Sequence, residues 1–166
     1  MNREHLAMKT NVFVCAACAA LVLIDIVSSL PVQADTDACA LLTAAQISSA
    51  VGFRVGTGTH VTPTFVKTCT WTGTTSTVVQ FVTLNIQTAS FFDGAKKQAS
   101  MLTGAGVAVK SAGIGDDSYF SVMGTQVALW VKKGNGSFKV AVYKQIPVDQ
   151  KEAMELVLAK QAAPKL

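Results

Sequence analysis

The apolar positions of this chain change their period several times, and each change marks an element. From Val78 to Gln87, the residues Val78, Val82, Leu84 and Ile86 fall on one side while Thr83, Asn85 and Gln87 alternate against them. That period of two predicts a half-buried strand. The same alternation recurs from Gln126 to Lys132 and from Ser137 to Tyr143, around the strong turn signal Lys133-Gly134-Asn135-Gly136, so these two segments predict a β-hairpin. Val127, Leu129 and Val131 match Phe138, Val140 and Val142 on one of its faces. Ala128, Trp130, Lys132, Lys139, Ala141 and Tyr143 fall on the other. Between Arg54 and Thr77, β-branched residues punctuated by Gly56, Gly58, Pro63 and Gly73 predict two short strands, the second centred on Cys69 and Trp71. A glycine-punctuated stretch from Gly104 to Asp117 predicts a loop entering a strand over Ser118–Val122.

Three segments have helical spacing instead. Thr43 is a good N-cap, Gln46 closes a capping box with it, and Gly52 ends a helix whose apolar positions are Leu42, Ile47, Ala50 and Val51. Ser90 caps a second helix running to about Leu102, with Phe91, Phe92, Ala95, Ala99 and Leu102 as its apolar stripe and Lys96 and Lys97 turned to solvent. A third runs from about Gln150 to Ala162, started by an Asp149 to Glu152 capping box with Val148 stapled against Ala153. Met154, Val157 and Leu158 are its inward side, and Pro164 stops it. The order is helix, three strands, helix, a short strand at most, three strands, helix. Short connections pair strands antiparallel, which predicts an α+β fold: a two-layer sandwich of an antiparallel sheet with helices packed on one face.

The first 34 residues lie outside this pattern. Arg3 and Lys9 precede an apolar run from Val12 to Ile24, and Val32-Gln33-Ala34 offers small or aliphatic residues three and one before Asp35. These features predict a secretory signal over residues 1–34 and a single domain over 35–166. An uncleaved anchor is the competing reading. The 13-residue run is shorter than the roughly 20 residues of a membrane helix, and Asp25 interrupts its continuation. The expected location is therefore secreted or periplasmic, with no membrane span in the mature chain.

Export changes the meaning of the cysteines. Cys15 and Cys18 leave with the signal, and Cys39 and Cys69 remain as the only pair of the mature chain, which predicts one disulfide. A lipid on Cys18 is disfavoured because Cys15-Ala16-Ala17 lacks the leucine that opens a lipobox. After removal of the signal, Arg54 and eleven lysines face eight acids, a net charge of +4, but the lysines are spread from Lys67 to Lys165 without a run. Nucleic-acid binding is not indicated.

Candidate chemistry is sparse. His60 is the only histidine of the mature chain, with no Gly-x-Ser-x-Gly elbow and no cysteine pair at metal-ligand spacing beside it. A hydrolase would have to be built around His60, and an exposed loop histidine is the simpler account. Asp116 and Asp117 do not have the spacing of a calcium loop and read as a solvated turn. No cofactor is indicated. The remaining candidate is a binding surface made of Trp130, Lys132, Lys139 and Tyr143, aromatics beside lysines that suit an acidic or aromatic partner. The same residues are equally capable of packing beneath a loop or helices, or of acting as cross-strand pairs.

Several short motifs carry a family resemblance across nearly the whole mature chain. They are Ala38-Cys39-Ala40-Leu41-Leu42-Thr43 with the helix ending at Val51-Gly52, Cys69-Thr70-Trp71, Gly113-Ile114-Gly115-Asp116-Asp117-Ser118-Tyr119, the strand end Val131-Lys132-Lys133-Gly134, and an alanine-rich last helix. In that order the chain resembles the DUF3558-type secreted proteins and lipoproteins of bacteria. The resemblance implies export, the bridge, an α+β fold and no established enzymatic activity. It transfers no catalytic residue, and without a convincing lipobox it does not transfer a lipid anchor. The resulting expectation is a non-catalytic envelope or secreted domain that binds a protein or small molecule through one sheet face or the groove between sheet and helices.

The sequence makes one processing prediction. N-terminal sequencing of exported protein begins at Asp35, and a chain that retains Cys18 with a lipid shows the opposite.

Overall fold

A computed structural model describes residues 36–74 and 78–166. The expected signal over 1–34, the expected processing site before Asp35 and the end of the threonine-rich region at 75–77 lie outside the described residues. The fold is α+β, a seven-stranded antiparallel open sheet with helices packed against it. In chain order the elements are α1 (Ala38–Leu41), α2 (Ala44–Val51), β1 (Thr59–His60), β2 (Thr68–Thr72), β3 (Phe81–Thr88), α3 (Ala89–Met101), β4 (Val107–Ser111), β5 (Asp117–Met123), β6 (Gln126–Lys133), β7 (Gly136–Tyr143) and α4 (Val148–Ala162). The sheet order is β1-β2-β3-β7-β6-β5-β4, so β3 and the β6–β7 hairpin form its centre. Among the described residues, no helix is long and apolar enough to cross a membrane.

The alternation read from the sequence sets the two faces. Antiparallel partners share a face, and the register pairs Leu129 with Val140, Val131 with Phe138, Leu84 with Val140 and Val82 with Val142. These side chains are all buried and form the main core with Ile47 and Val51 of α2 and Leu158, Ala159 and Ala162 of α4. The opposite face carries Tyr119, Trp130 and Lys139 in one cross-strand row. α3 lies across that face, with Phe92 edge-on to Tyr119 at 5.3 Å and Phe91 over Trp130 at 6.1 Å. The helices are thus divided, with α2 and α4 against one face and α3 against the other.

The capping chemistry of α2 is as its sequence predicts. The Thr43 hydroxyl accepts the Gln46 N–H at 3.2 Å, and the Gln46 side chain accepts the Thr43 N–H at 2.9 Å. Gly52 ends the helix at φ 70°, a left-handed conformation that a side chain would strain. Elsewhere the local signals were outbid. β3 starts at Phe81 rather than Val78, and the α3 cap is Thr88, whose hydroxyl accepts the Phe91 N–H at 3.2 Å; Ser90 instead contacts that hydroxyl. The stretch after Gly106, read as loop, forms edge strand β4 because β5 offers it a five-residue ladder. α4 starts at Val148 behind Pro147 without a side-chain cap, so the expected Asp149–Glu152 box does not form. Glu152 is drawn to Lys110 on β4 at 2.7 Å, and Ala153 is exposed, which leaves Val148 without its staple partner. Val157 is also 43% exposed, while Lys151 and Glu155 turn inward with Leu158.

Cys39 and Cys69 form the disulfide that the sequence predicts, with Cα atoms 5.0 Å apart. It ties α1, a separate turn ahead of α2, to β2. Asp37 caps α1 by accepting the Cys39 N–H at 2.7 Å and also contacts His60 Nε2 at 2.8 Å, so a second tie runs from the same turn to β1. Gly58 lets the chain cross here, since a Cβ at that position would lie 2.5 Å from Cys69 Sγ and 2.7 Å from Trp71 Nε1. The bridge closes a loop of 30 residues, worth roughly 3–4 kcal/mol on the chain-entropy account. The Cys39→Ser/Cys69→Ser double variant is expected to lose about that much in urea denaturation, and exported protein that begins at Asp35, alkylated without reductant, is expected to take up no label.

Candidate functional site

The four residues of the candidate surface share a face but not a site. Trp130 and Lys139 are cross-strand partners, and Lys139 Nζ lies 5.2 Å from the Trp130 ring centre. Lys132 is directed along α3 to Asp93 at 2.7 Å, a contact that raises its pKa. Tyr143 is four residues beyond Lys139 on β7, about 13 Å away at strand spacing, and stacks on Phe81 at 4.2 Å. It belongs to a different part of the surface. Level with Lys139 and running away from Tyr143, Thr68, Asn85 and Gln87 form a hydrogen-bonded polar strip across β2 and β3.

Around Trp130 the face becomes a groove. Trp130 is half-buried and stacks parallel to the buried Tyr119, with ring centres 6.0 Å apart. Burial, with the nearby Asp117 charge adding to it, pushes the Tyr119 hydroxyl up to about 12, so it stays protonated across the physiological range. α3 forms the other wall. From its first turn to just past its middle, Phe92 is fully buried, Lys96 reaches Asp117 at 2.7 Å and Lys132 reaches Asp93, which pins the helix to β5 and β6. Lys96, expected in solvent, is therefore held in an ion pair. Beside these anchors and beyond them, Ala95 and Ala99 line the groove, too short to fill the space above Ser121 and Trp130. A cavity of about 360 Å³ remains, bounded by Phe91, Leu102, Val107 and Met123, with Gln98 and Ser121 as its polar lining groups. Phe91 is 50% and Leu102 43% exposed, so the stripe that makes α3 amphipathic is only partly covered by the protein itself. Reading the sequence named Trp130 and Lys139 and allowed a groove between sheet and helices, but identified neither Tyr119 nor α3 as its wall; the alanines at 95 and 99 were the available signal.

His60 is on β1, not in a loop, and its side chain is 23% exposed. The His60 contact, reinforced by the Cys39 N–H, holds the Asp37 carboxyl below the usual carboxylate range. Asp37, Cys39 and His60 cluster closely enough to suggest metal ligands, but the Cys39 sulfur is committed to the disulfide. The Asp37–His60 contact ties the first turn to β1. Asp116 accepts the Gly134 N–H at 2.7 Å and Asp117 holds Lys96, which makes these residues turn anchors.

A second concave region lies where the centre of the sheet forks. The β6–β7 register stops at Leu129 and Val140, while β7 stays with β3 to Tyr143 and β6 stays with β5 to Gln126. Glu155 of α4, fully buried, fills the fork, and its Oε1 accepts the Val142 N–H at 2.9 Å. Below the fork is a cavity of about 540 Å³ lined by Thr125, Gln126, Tyr143, Lys144, Gln145 and Lys151 among others. The class this geometry defines is an open-sheet α+β domain with an apolar groove and a polar cleft among its concavities. Compared with known proteins, the chain matches no family model, no curated protein and no solved structure.

Burial is the main cause that raises Glu155 from 4.5 to about 8. The folded protein therefore holds a proton that the unfolded chain releases near 4.5, and stability falls as pH rises through that window, by up to about 1.4 kcal/mol per unit, then levels above the folded value. Thermal melts from acid to alkaline pH are expected to show this loss, and Glu155→Gln is expected to remove it.

Proposed function

We propose that this is an exported, non-catalytic binding domain of the bacterial envelope or extracellular space, and that it holds a small ligand with an apolar body and an acidic group between α3 and the sheet. The observation that carries the reading is the half-exposed stripe of α3 facing an aromatic floor with space between them. A volume of about 360 Å³ is at the lower end of the range of small-molecule sites. An aromatic or short acyl body gains apolar burial against Trp130, Phe91 and Leu102, and Lys139 beside Trp130 supplies a cation at the edge. Export is supported by the charged, apolar and small-residue regions of the first 34 residues, and by the resemblance to the DUF3558-type secreted proteins. A rigid site is supported by the pinned first half of α3, which leaves the groove open without a conformational change.

The test uses 1-anilinonaphthalene-8-sulfonate, an aromatic body with one anionic group, as a fluorescent probe. Trp130→Ala is expected to weaken its binding by about tenfold or more and to cost about 2 kcal/mol of stability, roughly half the cost of emptying a fully buried tryptophan site. Lys139→Gln is expected to weaken the anionic probe while leaving a neutral naphthalene probe unchanged. Undiminished binding of both probes by Trp130→Ala overturns the assignment.

A further inference from the structure

Lys151 and Glu155 are one turn apart on the inward face of α4, where Lys151 reaches the β5–β6 turn and Glu155 the backbone at the fork between β6 and β7. Lys151 is only 4% exposed and lines the cavity of about 540 Å³, where its Nζ donates to the Thr125 carbonyl of the β5–β6 turn at 2.7 Å. A neutral carbonyl satisfies one of three ammonium donors and none of the charge. Among the described residues no carboxylate lines the cavity. Gln126, Gln145 and Tyr143 bring neutral polar groups to the same walls, while the Lys144 ammonium is directed to the Val51 carbonyl at 3.4 Å and the Phe53 ring.

The obvious internal counter-charge is Glu155, yet the fold withholds it. Its Oε1 accepts the Val142 N–H, its Oε2 has no hydrogen-bond partner among the described residues, and burial keeps the proton on up to about pH 8. The ionisable groups acting on Glu155 are Lys151 and Glu152 of its own helix; β6 and β7 face it with the backbone of Leu129 and Val142. Glu152 is itself engaged by Lys110 at 2.7 Å. A buried ammonium without a compensating charge is costly, and an entering anion relieves that cost.

We propose that the cavity beneath the sheet fork binds a small organic carboxylate, with Lys151 as its charge partner and Gln126, Gln145 and Tyr143 as neutral hydrogen-bonding groups. A single committed ammonium among neutral donors favours a singly charged carboxylate over a dianionic phosphate. This site is separate from the α3 groove and stands or falls without it. Glu155 couples the site to pH. Once ionised it compensates Lys151 from within and repels the incoming carboxylate, so affinity falls as pH passes the folded value of the glutamic acid.

Hexanoate, its neutral isostere hexanamide, and inorganic phosphate are the probes. At neutral pH, hexanoate is expected to shift the amide resonances of Thr125, Gln126 and Lys151 in a two-dimensional NMR titration, with hexanamide giving no comparable shift. Calorimetric affinity for hexanoate is expected to fall about tenfold between about pH 7 and pH 9.5, and Glu155→Gln is expected to flatten that dependence to within about twofold. Lys151→Gln is expected to weaken hexanoate by about tenfold or more. Should this last variant fail to fold, the pH profile of Glu155→Gln decides alone. Equal binding of hexanamide, phosphate binding in preference to hexanoate, shifts confined to α3, no shift at all, or an unchanged pH profile in Glu155→Gln would each overturn the proposal.

Discussion

The structure depends on the register of the β6–β7 hairpin. Pairing Leu129 with Val140 and Trp130 with Lys139 puts every second residue of the two central strands into the main core and the intervening ones onto the opposite face. A slip by one residue would exchange Val127, Leu129 and Val131 for Ala128, Trp130 and Lys132, and both faces would fail together. Because β3 joins β7 in the same alternation, the constraint extends through Val82, Leu84 and Ile86. Everything the helices do follows from having two chemically different faces to cover.

The two faces are covered to different degrees. On one, α4 places Leu158, Ala159 and Ala162 against valines and leucines, α2 adds Ile47 and Val51, and the whole is closed to solvent. On the other, α3 is anchored by Phe92 and by the Lys96–Asp117 and Lys132–Asp93 ion pairs, which leave its last turn without an ion-pair anchor. Small residues farther along hold the helix above the sheet without filling the space. An element fixed at one end and spaced by alanines leaves a groove, and the aromatic row of Phe91, Trp130 and Tyr119 gives that groove its character.

The fork in the sheet shows the reverse balance, with polar groups inside the core. A ladder between Val127 and Val142 would have continued the sheet, but β7 follows β3 and β6 follows β5. Glu155 supplies the Val142 N–H with the acceptor that the missing ladder would have given, and Lys151 satisfies the Thr125 carbonyl. Placing both groups away from water lowers stability near neutral pH relative to an apolar pair of similar size. That cost gives the cavity its uncompensated charge.

Much of this fold was legible in the chain because the signals are local. Alternation at Val82–Ile86 and around Gly134-Asn135, the capping box of Thr43 and Gln46, and the count of two cysteines in the segment after residue 34 determined the central strands, α2 and the bridge. A period of two or a cap involves residues within a few positions of one another, and any tertiary setting preserves it. The placement of Trp130 and Lys139 on one face was legible for the same reason, and so was the separate identity of the face beneath the helices. Tertiary structure alone decided that α3 would take the face opposite α2 and α4, that β4 would form against β5, and that Lys132 and Tyr143 would be drawn away to Asp93 and Phe81. It also turned Lys151 and Glu155 inward, against the amphipathic reading of α4 that had chosen Val157. Their partners, Thr125 and Val142, are 26 and 13 residues away in sequence. A helical period reports which residues share a side, but only the distant backbone groups waiting at that side determine whether a charge can be buried there.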